Sequence, residues 1–261
     1  MIAFKFSDNV TQNNNSFGEI IKLDNYNDII YINCTGNNLY KSFSLPELPN
    51  SLIELNCSNN SLSSLPTLPN SLQILWCGFN RLSCLPELPN SLIKLICSKN
   101  NLSSLPKLPN SLQILLCGFN NLSNLPELPN TLIELSCFSN SLSSLPELPN
   151  SLRELCCNNN NLSNLPELPN SLLELYCTNN IIYNLPQLPS SLVIMFYWGN
   201  PIFNHIIKYF DGNRKIYNKH HHVMERKFVE KIENWFLECK YNPKYSYCRK
   251  RLMKEYEELY G

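Results

Sequence analysis

Twelve cysteines and a run of three histidines are the residues of this 261-residue chain whose types invite chemistry. Thiols pair into disulfides, hold metals and, as thiolates, attack electrophiles; imidazoles ligate metals or carry protons. Spacing decides among these. Cys57, Cys77, Cys97, Cys117, Cys137, Cys157 and Cys177 follow a strict step of twenty, and Cys34 precedes them by one step of twenty-three. Eight thiols at one repeated place do not need partners, and a disulfide framework would not distribute them so regularly. Only Cys84, Cys156, Cys239 and Cys248 stand outside the series. His220, His221 and His222, with Cys239 and Cys248, offer ligand types but no close-spaced pair on each side, so no metal and no cofactor is assigned. Nor is there a Ser-His-Asp pattern, a glycine-rich phosphate loop or a pair of catalytic carboxylates. The chain reads as a non-enzyme.

The elements that set those thiols in place follow from the repeat around them. Aligned copies read L-x-x-L-x-C-x-x-N-x-L-S-x-L-P-x-L-P-N-S from about Ile29 to Ile202. A fixed period near twenty is the mark of a solenoid, in which each turn packs only on its neighbours. Leu55 and Cys57 alternate with polar neighbours, as a short strand does. The prolines of "LPTLP" fix their own φ and hold the preceding residues extended, which excludes a helix there. Each turn is therefore expected to be one parallel strand with an extended return, giving nine strands centred on the Cys34–Cys177 series and Tyr197. Cys57 and its equivalents point inward, where a free thiol acts as a small hydrophobe in a reducing compartment. Asn60, Asn80, Asn100, Asn120, Asn140, Asn160, Asn180 and Asn200, with Asn37 as first member, share a second inward position. There an amide can satisfy backbone groups of successive turns.

The 21 basic and 21 acidic residues cancel overall but not locally. Leu45 to Asn200 holds nine acidic and five basic side chains; Pro201 to Gly261 holds thirteen basic and eight acidic. The repeats are thus unsuited to nucleic acid. No apolar run reaches the roughly eighteen residues of a membrane span, and "MIAFKFSDNVTQNNNSF" lacks the pattern of a secretion signal. A soluble, cytoplasmic protein is expected, in the host cytosol if the source is viral.

With these residues in view, the repeat resembles the leucine-rich repeat, in the short twenty-residue LPxLP class carried by bacterial effectors of the YopM and IpaH kind. Cysteine stands where that class more often has valine or isoleucine. The asparagine-rich composition and the tail "YNPKYSYCRKRLMKEYEELYG" are similar to uncharacterised repeat proteins of giant amoeba viruses. The resemblance implies a curved parallel β-sheet whose concave face binds a protein. IpaH-like proteins also append a ubiquitin-ligase domain with a nucleophilic cysteine. Only about sixty residues follow these repeats, fewer than such a domain needs, and Cys239 and Cys248 fall on apolar helix faces, which raises a thiol pKa.

In that fold the residues flanking the inward Leu and Cys line the concave face. Ile74, Trp76, Ile96, Ile114 and Leu116 form an apolar block edged by Phe79 and Phe119, and Phe138, Tyr176, Phe196 and Trp198 continue it. Exposed apolar surface of this kind marks an interaction site, and aromatic side chains are its usual anchors. Glu134, Glu154 and Glu174 form an acidic stripe beside it. A protein partner is expected there, with self-association or an adaptor whose tail recruits other machinery, such as ubiquitin-ligase components, as the alternatives.

Three regions result: residues 1–28 as a β N-terminal cap, 29–202 as repeats and 203–261 as a C-terminal cap. "IAFKF" and "EIIKL" read as the cap's strands around a polar loop. Met224, Phe228, Ile232, Trp235, Phe236 and Cys239 follow helical spacing, and Pro243 opens a second helix bearing Tyr245, Cys248, Leu252, Tyr256 and Leu259. A helical hairpin covering the last turn is the expectation; "CRKR" at 248–251 is read as a solvated face of it.

Overall fold

The computed structural model describes residues 2–7, 11–14, 16–36 and 45–202, all within the first of the chain's two units, Met1–Asn204. Asn37, the histidine run, the expected C-terminal hairpin with its cysteines, and "CRKR" lie outside these residues.

Short strands separated by extended returns build the molecule. After β1 (Ile2–Phe6), β2 (Thr11–Asn14), the single helical turn α1 (Phe17–Ile20) and β3 (Ile29–Asn33) come eight three-residue strands. These are β4 (Glu54–Asn56), β5 (Ile74–Trp76), β6 (Lys94–Ile96), β7 (Ile114–Leu116), β8 (Glu134–Ser136), β9 (Glu154–Cys156), β10 (Glu174–Tyr176) and β11 (Ile194–Phe196). All join one sheet in the order β2-β1-β3-β4 through to β11. From β3 to β11 the pairing is parallel, and from β4 onward it is in register, so Leu55 lies beside Leu75, Leu75 beside Leu95, and so on. The fold is a parallel-strand solenoid with little helix.

Why each turn closes is legible in its residues. The strand leucine, the cysteine after it and the leucine at the return (Leu55, Cys57 and Leu62 in one copy) are fully buried in nearly every turn. Pro69, Asn70 and Ser71 then reverse the chain, closed by the Leu72 N–H donating to the Pro69 carbonyl at 3.1 Å. The return between them is extended, as its prolines require.

Two side-chain ladders tie turn to turn. Asn100 Nδ2 donates to the carbonyls of Cys77 and Cys97, both at 3.0 Å, while its Oδ1 accepts the Leu82 N–H at 3.0 Å. The arrangement recurs from Asn80 to Asn200 with distances near these. Each asparagine thus bonds its own turn and the one before. The second ladder was not foreseen from sequence: the Ser71 hydroxyl donates to the Leu52 carbonyl at 2.7 Å, and Ser91, Ser111, Thr131, Ser151, Ser171 and Ser191 do the same one turn on each time.

The cysteines sit between these ladders as inert filler. Cys57 Sγ reaches the Trp76 carbonyl at 3.4 Å, and every described cysteine is unpaired. Burial pushes the thiols of Cys34, Cys97 and Cys177 up to about 12 and those of Cys57, Cys77, Cys117 and Cys157 well above their ordinary value. At neutral pH none is a thiolate.

The N-terminal expectation needs one correction. "IAFKF" is β1, but "EIIKL" is not a strand. Ser16 caps α1 there, its Oγ accepting the Gly18 N–H at 3.1 Å, and Phe17 and Ile20, three apart, bury on one side. The strand beside β1 is the polar "TQNN" of β2, within the segment expected as a loop. An edge strand supplies backbone donors and acceptors, and it does not need an apolar face.

Candidate interaction surface

Strand alternation turns Leu55 and its equivalents into the core and leaves their neighbours on the outward face of the sheet. Two rows result. One runs Glu54, Ile74, Lys94, Ile114, Glu134, Glu154, Glu174, Ile194; the other runs Asn56, Trp76, Ile96, Leu116, Ser136, Cys156, Tyr176, Phe196. Ile74, Trp76, Ile114 and Leu116 are half-buried, as surface residues packed side by side are. Ile96, at 9% exposure, is the floor between Trp76 and Leu116, and Phe196 at 8% is likewise buried. These two were expected on display and are supporting residues instead. At the next position out, Ser58, Gly78, Gly118 and Thr178 are buried, Ser98, Phe138 and Asn158 are half-buried, and Trp198 is exposed. At Gly78 the following turn lies close: a Cβ there would lie 3.0 Å from the Ser98 carbonyl oxygen.

At the strand exit the backbone does something the sequence did not announce. Asn59, Phe79, Lys99, Phe119, Ser139, Asn159 and Asn179 all take a left-handed φ between 52° and 57°. Asparagine tolerates that region; a bulky side chain there is strained. Phe79 and Phe119 accept the strain without gaining burial, being 50% and 41% exposed. The residue between them in the stack is Lys99, whose Nζ lies 4.5 Å from the Phe79 ring centroid and 4.9 Å from that of Phe119. Phe138 meets Phe119 edge-on at 4.8 Å and lies across Gly118, where a Cβ would come within 2.5 Å of the ring. Beside them, Lys94 Nζ sits 4.8 Å over the Trp76 ring. The apolar block is therefore an aromatic-cation block. Strand alternation places Lys94 on this face; Lys99 escaped the sequence reading, although Phe79, Lys99 and Phe119 share one place in the twenty-residue period.

Further along, Glu134, Glu154 and Glu174 stand in register on β8, β9 and β10. The Tyr176 hydroxyl donates to Glu174 Oε2 at 2.7 Å, and burial, with that carboxylate, raises the phenol's pKa. Cys156 lies half-buried in the same stretch, its thiol pushed up by burial. Tyr176 stacks on Phe196 at 5.5 Å, and Phe196 meets Trp198, itself 48% exposed, edge-on at 4.8 Å. The face thus carries two aromatic clusters with carboxylates between them. Among the described residues no group of three or more His, Cys, Asp or Glu is arranged to hold a metal ion, and no helix is long and apolar enough to cross a membrane.

Solved structures share this architecture. YopM from Yersinia enterocolitica WA-314 is 42% identical over 60% of this chain and 35% of its own, with a TM-score of 0.60. YopM from Yersinia pestis, a leucine-rich effector, is 33% identical over 66% of this chain and 61% of its own, with a TM-score of 0.50. A Shigella effector LRR domain is 33% identical over 64% of this chain and 79% of its own, with a TM-score of 0.55. The chain spans about a third of the first of these and under two thirds of the second. No family model matches the sequence, and no curated protein does.

Proposed function

This chain belongs to the leucine-rich-repeat proteins, and from that premise we propose that it is a non-enzymatic scaffold that holds a protein partner on the concave, strand-lined face. We assign its repeats to the LPxLP effector class on the motif itself. One observation carries the reading. Phe79 and Phe119 stand half exposed in a left-handed conformation that asparagine fills at Asn59, Asn159 and Asn179. Folding gains little from an aromatic ring there, and strain retained without a structural return points to use. Trp76, Ile114 and Leu116 then supply apolar area beside the rim, and Ile96 fixes its floor. The free, buried thiols support a reducing compartment such as the cytosol.

The experiment selects binders of a random sixteen-residue peptide library on the full chain and measures the best by fluorescence anisotropy. Trp76→Glu combined with Leu116→Glu should remove binding while leaving the far-UV spectrum and melting curve intact, because both side chains point away from the core. Truncating a buried interface aromatic often costs about 2 kcal/mol, roughly thirtyfold in affinity. Glu87→Lys, on the exposed return, should change little. Binders indifferent to the double substitution but lost on a return-side change would move the site to the other surface.

A further inference from the structure

Charge along the repeats is not scattered. Four of the five basic residues between Leu45 and Asn200 (Arg81, Lys94, Lys99 and Lys107) fall between positions 81 and 107, and six of the nine acidic ones fall between Glu127 and Glu174. On the outward face this becomes a linear order. Lys94 on β6 is flanked on one side by apolar Ile74 on β5 and a single carboxylate, Glu54, on β4. On the other side come apolar Ile114 on β7 and then three carboxylates, Glu134, Glu154 and Glu174, on β8 to β10. Lys94 and Lys99 each lie against aromatic rings, so ammonium charge and apolar anchor surface coincide around β5 to β7. The stretch from β8 to β10 is carboxylate-rich.

We propose that this face takes one continuous protein segment of bipolar chemistry: acidic residues with apolar or aromatic anchors over Trp76, Lys94 and Lys99, and basic residues over Glu134, Glu154 and Glu174. The inference rests on the scaffold reading and adds the partner's charge order. Only Ile114 and Leu116 separate the two stretches, and a partner large enough to cover the apolar block, about 800 Å² on each side, touches both. Three carboxylates on one side of Lys94 against one on the other favour a single orientation, so the order selects register as well as partner. Parallel strands lie roughly 4.8 Å apart, which puts Glu134 about 10 Å and Glu174 about 19 Å from Lys94 along the face. In the partner, acid and base are then separated by roughly three to six residues of extended chain or roughly seven to thirteen of helix.

The same random-peptide selection tests this when the winning sequences are aligned. The expected result is Asp or Glu beside an apolar pair, with Lys or Arg at those separations. Lys94→Glu with Lys99→Glu should weaken the best peptide at least about tenfold and select for basic residues at the formerly acidic positions. Glu134→Lys with Glu154→Lys should do the converse. If a charge reversal compromises folding, Lys94→Gln and Glu134→Gln should show the same preference reduced in size. Peptides that depend on Trp76 and Leu116 but carry no charge order would overturn the bipolar proposal and leave the scaffold reading standing. Selection of no peptide sensitive to Trp76 and Leu116 counts against both. A concentration-dependent dimer in sedimentation velocity, abolished by Lys94→Glu, would assign the face to a second copy and overturn the proposal as well.

Discussion

Replacing Asn100 by alanine tests the cohesion of the solenoid at one point. Three hydrogen bonds disappear, but they are not equivalent. The Cys77 carbonyl keeps the Asn80 amide at 3.1 Å, and the Cys97 carbonyl keeps that of Asn120 at 3.1 Å. The Leu82 N–H, by contrast, loses the Oδ1 acceptor it uses at 3.0 Å. Stranding a buried donor costs about 1–3 kcal/mol, and each weakened carbonyl adds up to about 1 kcal/mol. The sum lies between about 1 and 5 kcal/mol. Asn100→Asp should cost more, since it keeps the acceptor for Leu82 but turns a charged oxygen toward two carbonyls. In a chain of nearest-neighbour contacts a loss in the middle weakens the coupling of the two halves as well as total stability. Urea unfolding followed by circular dichroism should show a lower midpoint and a smaller slope, as the transition loses cooperativity. A shift below about 1 kcal/mol with an unchanged slope would refute the idea that these amides, rather than leucine packing, join the turns.

Phe79→Asn should leave stability within about 1 kcal/mol of the parent, because relief of left-handed strain offsets the lost cation-π contact, yet it should weaken selected peptides; a urea curve beside an anisotropy titration reads both. Iodoacetamide on native protein at pH 8 should modify exposed Cys84 and spare Cys57 through Cys177 at the twenty-residue positions, with mass spectrometry locating the label. The ladder thiols are raised on folding, so they favour the folded state below their ordinary value near 9 and lose that contribution as pH climbs toward about 12. Alkaline unfolding should therefore begin in that window, and Cys97→Val should move its onset upward. Ser111→Ala removes one hydroxyl rung and should lower stability by about 1 kcal/mol, measurable in the same urea series.

The inward residues were legible because a solenoid imposes one environment twenty residues apart, and composition at that position then reports it. Leu55, Cys57 and Asn80 needed only the period and the strand's alternation. The exposed surface is a weaker signal. Alternation puts Lys94 on the outward face, but only the stacking of turns lays its ammonium, and that of Lys99, against a ring. The burial of Ile96 depends on the size of its neighbours Trp76 and Leu116, which strand alternation does not encode. Left-handed backbone at Phe79 and Phe119 was hidden because aromatic residues advertise no turn, although asparagine at Asn59, Asn159 and Asn179 marked the same place. At the N-terminus, "EIIKL" misled because an apolar run of that length suits a strand or a single helical turn equally, and Ser16 decided it.

Each ladder asparagine bonds only its own turn and the preceding one. A turn deleted or duplicated whole therefore hands its neighbours the same partners they had before. Unequal recombination between such similar stretches stays in frame and within the fold, and the forty-residue recurrence of "QILWCGFN" as "QILLCGFN" is the pattern that duplication of a two-repeat block would produce. What changes is distance: a copy inserted between β6 and β8 moves Lys94 and the glutamates of β8 to β10 apart by one strand spacing, roughly 4.8 Å. Turn number thus sets the spacing of those charges with no new residue invented.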